Sequence, residues 1–342
     1  MQRLTPKNPG GALLLPAKIS TVDPHNPPLA VIFGVSGCTL TQEEHDFFRA
    51  TNPLGFILFA RNAQDPQQLL TLTQDLKKCL GREVPILIDQ EGGRVARLRP
   101  PHWPAFPAAK TFGDAADEKG AYQNAGDLAR MLDGAGINVN CTPVIDVLFP
   151  DTHQAIGDRA FSSDPDLVGR LGAEVCKGHL AQGVIPVVKH MPGQGRANMD
   201  SHTHLPVVTA SLQELEAADF APYRHILKQN FARAVWGMVS HIVYTAIDPH
   251  NPATCSDLVT NGLIRKSFGF DGFLLSDDIV MNALQGVGDM AQRTSKSIQA
   301  GCDAALHCNG VMSEMKLVAA AAPVLSADGV RRFNASVAPV IV

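Results

Sequence analysis

The chain has 342 residues and a net charge of −4, with 18% charged side chains and no basic block, which argues against a nucleic-acid partner. Hydrophobic residues make up 45%, ample for a large core, yet no apolar run approaches the ~18 residues of a membrane span. Leu13–Leu15 breaks at Pro16, too short for a secretory leader.

Apolar, β-branched segments alternate with helical patterns along almost the whole length. Strands are expected at Ala30–Val35, Gly55–Phe59, Pro85–Ile88, Val139–Val144, Val184–Val188, Ala234–Val239, Gly272–Leu275 and Asp303–Leu306. The first of these ends in Val35-Ser36-Gly37-Cys38, which faintly resembles a lipoprotein cleavage site. Asp23 to Pro28 upstream is wrong for a signal peptide, so a strand is the better reading. Helix starts are legible between the strands. Thr41 with Glu44 forms a capping box, Asp65-Pro66 opens Gln67–Leu80 and Asp164-Pro165 opens Asp166–Ala181. Ser211 with Glu214 caps the next helix, and Ser256 opens Asp257–Phe268. Eight strand–helix units read as a single-domain (β/α)8 barrel over residues 1–342, with 1–28 as an N-terminal extension. The seven cysteines are irregularly spaced without a C-x-x-C, which fits small buried hydrophobes in a reducing cytoplasm.

In such a barrel the site lies at the C-terminal ends of the strands. Asp89 follows strand three and Arg159 lies after strand four. Lys189 and His190 end strand five, His241 ends strand six and Asp277 ends strand seven. After Lys189 and His190 comes a glycine-punctuated loop with Asp200 and His202. These are two residues apart, so an extended segment puts both on one face. A carboxylate beside an imidazole orients it and stabilises its protonated form, as a general acid/base requires.

Lys189-His190-x-Pro192-Gly193-x-Gly195, four residues, then Asp200-Ser201-His202 resembles the signature of family-3 glycoside hydrolases in their β-N-acetylglucosaminidase branch. Ile88 to Arg97 and Leu275 to Met281 look like two further hallmark segments of that family, in family order. The resemblance implies that Asp277 is the nucleophile of a retaining glycosidase, with Asp278 its neighbour. On its own, the Asp-Asp pair would read as a helix cap. The resemblance also implies that His202, tuned by Asp200, is the general acid/base. Asp89, Arg97, Arg159, Lys189 and His190 look like sugar-binding residues, since carboxylate, Arg and Lys groups together hold adjacent hydroxyls in one register.

Glu91 and Arg94 are expected to form a structural ion pair beneath the site, and the role of His241 stays open. Gln194 stands where many relatives have His, and Asp158-Arg159-Ala160 replaces Glu-Arg-Ser. No cofactor and no metal is expected, although His202-Thr203-His204 has the form of a metal motif. With two Trp and three Tyr, a pocket for one terminal sugar fits better than a long aromatic cleft. The resemblance implies release of terminal β-linked GlcNAc from muropeptides, small saccharides of cell-wall recycling. A glucoside or chitooligosaccharide hydrolase of the same fold, and a silent sugar-binding protein, are the rival readings.

Overall fold

The computed structural model describes residues 18–201 and 204–339. Its centre is a closed barrel of eight parallel strands: β1 (Leu29–Gly34), β2 (Pro53–Leu58), β3 (Ile86–Ile88), β4 (Val139–Asn140), β5 (Ile185–Met191), β6 (Trp236–Val239), β7 (Leu274–Asp278) and β8 (Ala304–His307). Each strand pairs with the next in sequence, and β8 returns to β1 through Val31 opposite Ala305. Helices cover the outside, so both faces of each strand are buried and the strands read as continuous apolar runs.

Alternate residues divide between two cores. Ile32, Leu54, Leu87, Val187, Trp236 and Phe273 belong to the cluster inside the barrel, whereas Phe33, Phe56, Leu58 and Ile86 pack under the helices. Trp236, Phe273 and Phe333 meet with ring centroids 4.7 to 5.8 Å apart, and Trp236 Nε1 donates to Ser336 Oγ at 2.8 Å. With Ile19 and Val22, which are also buried in that cluster, they close the interior at the end remote from the site. The described part of the N-terminal extension is therefore part of the core.

The caps form as expected. Thr41 and Glu44 make a reciprocal capping box on the helix Gln42–Thr51. Asp65 and Asp164 accept from the first-turn backbone of Pro66–Leu80 and Pro165–Leu180. Several strand ends differ from expectation: strand seven, expected over Gly272–Leu275, runs over Leu274–Asp278, and strands four and five differ as well. Strand four is only Val139–Asn140, because Pro143 has no N–H to continue the ladder. Strand five runs on to Met191, since Lys189 N donates to Pro143 O and Ile145 N to Lys189 O. Lys189 and His190 thus lie within the strand, joined by a cis peptide bond where the register against β6 shifts. Leu258–Ser267 is a wider π-type coil, not an α-helix. Beyond Glu214 the Ser211-capped helix also widens, over Leu215–Asp219.

Candidate active site

One pocket of about 320 Å3 opens at the C-terminal ends of the strands, near the lower end of the ~300–1,000 Å3 range for small-ligand sites. Asp89, Arg97, Arg159, Lys189, His190, Asp200 and Asp277 all line it. Its apolar floor is the top layer of the barrel interior, where Ile57, Met238, Leu306 and Cys308 reach it. His202, the expected acid/base, lies outside the described residues.

The cationic groups are held by two carboxylates. Lys189 Nζ sits 2.8 Å from Asp89 Oδ1 and 2.7 Å from Glu91 Oε1. Arg159 takes Glu91 in a two-pronged grip, both bonds 2.8 Å, and Arg97 reaches Asp89 Oδ2 at 3.1 Å. Burial alone would raise the Asp89 and Glu91 carboxyls. Lys189 with Arg97, and Arg159 with Lys189, outweigh it and hold both well below the usual carboxylate range. The Lys189 ammonium shifts upward: burial opposes this, and the two carboxylates win. Asp89, Glu91 and Lys189 are therefore charged at neutral pH.

The expected Glu91–Arg94 pair does not form. Glu91 faces Arg159 and Lys189, while Arg94 turns outward to Asp158 at 2.7 Å and to the carbonyls of Gln154, Ala155 and Ile156. A bidentate guanidinium with a second cation offers Glu91 more than one exposed arginine could.

Asp277 Oδ1 accepts from the backbone N–H of Asp278 at 2.7 Å. Burial pushes its carboxyl up, but His241, His190, that N–H and Lys189 bring it below the ordinary value, so it is ionised. Asp278 behaves oppositely: burial raises it to about 6, against bonds from Val280 N and Cys308 N. Two adjacent carboxyls thus differ in charge affinity, the environment favouring the anion on the first.

His241 is fully buried and absent from the pocket lining. Its Nε2 is 2.9 Å from the Asp278 carbonyl, which can only accept, and its Nδ1 is 2.8 Å from Thr254 Oγ1. Burial lowers the pKa of the ring; Nε2 donates to the Asp278 carbonyl, and Nδ1 contacts a Thr254 hydroxyl that itself donates to Ser240 O at 2.8 Å. It supports the strand end that carries Asp277.

Several further residues hold these groups in place. Asp146, buried at 0% exposure, accepts at Oδ2 from His190 Nδ1 (2.7 Å) and at Oδ1 from the backbone of Gln194 (2.7 Å). Gln90 folds the hallmark loop back on itself by accepting from Arg97 N and Leu98 N, and Asn140 pins Gln90 from β4. Gly195 lies so close to Val147 O that an added Cβ would stand 1.7 Å away, which accounts for the glycine in the motif.

Residues 31–341 match the Glycosyl hydrolase family 3 N terminal domain. The chain belongs to glycoside hydrolase family 3. A β-hexosaminidase of Neisseria meningitidis is 38% identical over 295 residues, covering 84% of this chain and 80% of that protein. One from Bordetella avium is 35% identical over 289 residues, covering 83% and 81%. The crystal structure of native NagZ from Neisseria gonorrhoeae superposes with a TM-score of 0.82 at 32% identity, covering 92% of this chain and 91% of that one. The family-3 protein described here is accordingly a glycoside hydrolase of the β-hexosaminidase group. No helix among its described residues is long and apolar enough to cross a membrane.

Proposed function

We propose that this enzyme is a retaining exo-β-N-acetylglucosaminidase. Asp277 attacks the anomeric carbon while His202, oriented by Asp200, protonates the departing oxygen. The same imidazole then deprotonates the water that attacks the glycosyl-enzyme, and GlcNAc leaves with net retention. The observation that carries this reading is the single pocket in which Asp277 and Asp200 share a lining with five polar groups suited to sugar hydroxyls. The depressed Asp277 carboxyl supports it too, because a nucleophile must be ionised.

Asp89, Arg97, Arg159, Lys189 and His190 take the sugar: carboxylate oxygens accept from hydroxyls, and the ammonium and guanidinium donate. The pocket's size suits one terminal residue. A structure of the Neisseria gonorrhoeae NagZ in complex with N-trifluoroacetyl-D-glucosamine (33% identity, TM-score 0.81, 92% and 91% coverage) favours a 2-acylamido sugar. The natural substrate on this reading is GlcNAc linked to anhydro-N-acetylmuramic acid in muropeptides. The compartment is the cytoplasm, which suits seven unpaired cysteines.

The test is turnover of 4-nitrophenyl β-N-acetylglucosaminide beside the matching glucoside, by the native chain and by Asp277→Asn. GlcNAc-selective hydrolysis that falls by several orders of magnitude in the variant, with sugar binding retained, is the expected result. Undiminished turnover by Asp277→Asn would remove the nucleophile assignment. Faster glucoside cleavage would make this a glucosidase.

A further inference from the structure

We propose that Gln194 is a positioning residue for the loop that carries Asp200, acting through Ser201. The inference rests on the proposed role of that loop in proton transfer.

Gln194 sits three residues beyond β5, at the root of the loop. Its backbone N–H is fixed to Asp146, the same carboxylate that holds His190. Its side chain is buried, with the amide nitrogen 3.3 Å from Ser201 Oγ and the amide oxygen without a partner among the described residues. Exchanging the two ends of the amide changes only the direction of that bond, since a hydroxyl both donates and accepts. One hydrogen bond is made and one polar atom is left over in either case.

A buried amide with an unmet end lowers stability, and an apolar side chain of equal length would fill the space without that cost. What the glutamine adds is therefore the bond to Ser201. Ser201 is itself buried and directly follows Asp200. Its carbonyl accepts from Ala283 N at 3.2 Å, in the segment just beyond Asp277 and Asp278. Ser201 is thus tied on one side to the root of its own loop and on the other to the strand end bearing the nucleophile. That double tie sets where Asp200 stands relative to Asp277. Losing it leaves the sugar contacts on β3 and β5 intact and misplaces only the proton-transfer side of the pocket.

The experiment compares Gln194→Met, Ser201→Ala, the double variant and Asp200→Ala on two glycosides of GlcNAc: methyl, with a poor leaving group, and 4-nitrophenyl, with a good one. Only the poor leaving group needs the proton. Gln194→Met and Ser201→Ala should each lower kcat on the methyl glycoside about tenfold, the worth of one hydrogen bond. On the nitrophenyl glycoside kcat should change less than about threefold, with KM similar on both. The double variant should be no worse than either single one, because both remove the same bond. Equal losses on the two substrates, or additive losses in the double variant, would overturn the inference. If Gln194→Met does not fold, Ser201→Ala decides the question by the same split. Asp200→Ala separates the two failures. If it shows the leaving-group split and the others do not, Gln194 and Ser201 are structural. If it does not, the acid assignment under the proposed function falls first.

Discussion

The Nδ1 of His190 lies 2.7 Å from Asp146 Oδ2, and both side chains are buried. An acidic partner on Nδ1 keeps the proton on that nitrogen and assigns the other ring nitrogen to the pocket. His190 therefore meets a sugar with one defined face. Asp146→Asn would offer an amide able to donate where the carboxylate only accepts, and so favours the wrong tautomer. The expected outcome is a drop in kcat/KM of roughly tenfold to a hundredfold, the worth of a hydrogen bond to a charged group. Steady-state kinetics on 4-nitrophenyl β-N-acetylglucosaminide check it, and unchanged kcat/KM would show that the ring orients without Asp146.

Glu91 balances two buried cations, Arg159 and Lys189. Glu91→Gln removes that charge and should cost about 3 kcal/mol, as breaking a buried pair does. Its folded carboxyl is depressed, so its contribution is fully present above the ordinary value of 4.5 and fades as pH falls towards about 2. Denaturant melts across that window should show a shallower acid loss in the variant than in the native chain. Parallel curves would place the acid sensitivity elsewhere.

Asp278 carries the opposite sign. Its carboxyl is raised from 3.8 to about 6 by burial, so its stabilising share exists below pH 4 and disappears as pH rises through 6. Asp278→Asn keeps an oxygen for the Val280 and Cys308 N–H groups and carries no charge. It should match the native chain near pH 4 and exceed it by roughly 3 kcal/mol at pH 8, because a tenfold change in proton affinity is worth about 1.4 kcal/mol. Melting at both pH values is the measurement; a variant no more stable at pH 8 refutes it.

Gly195→Ala puts a methyl 1.7 Å from Val147 O, a backbone atom that cannot yield cheaply. A destabilisation of more than about 4 kcal/mol is expected, of the kind that overpacking with backbone displacement produces. Expression and thermal melting read it directly, and a native-like melt would mean that the loop root moves freely.

The barrel was legible because its signals are local. Caps such as Thr41–Glu44 and apolar runs such as Val184–Val188 depend on near neighbours, and the structure keeps them. Strand ends were less legible, since they depend on what the neighbouring strand offers. Pro143 cuts β4 short, yet its carbonyl helps carry β5 on to Met191. Most polar residues lining the pocket were readable from the motifs, whereas their pairings and the residues behind them were not. Glu91 finds Arg159 across 68 positions, nearer partners such as Arg94 notwithstanding. Asp146 was hidden in the apolar run Val144-Ile145-Asp146-Val147. A lone acid within such a run is itself a signal, because a buried carboxylate needs a partner. His241 shows the converse: a histidine at a strand end near the site is buried behind the pocket lining and holds the Asp278 carbonyl.

The pocket's ionic network reaches the Asp277 carboxylate through Lys189. Asp89 and Glu91 are tied to Lys189, Arg97 and Arg159, and Lys189 also helps to hold the Asp277 carboxyl down. On the covalent route proposed above, forming the glycosyl ester erases one negative charge while the three cations stay fixed. The intermediate then sits in a field that favours the return of the carboxylate. The fixed cations thereby favour the free carboxylate over any neutral form of Asp277, so the same field that keeps the nucleophile ready also speeds its release from the sugar.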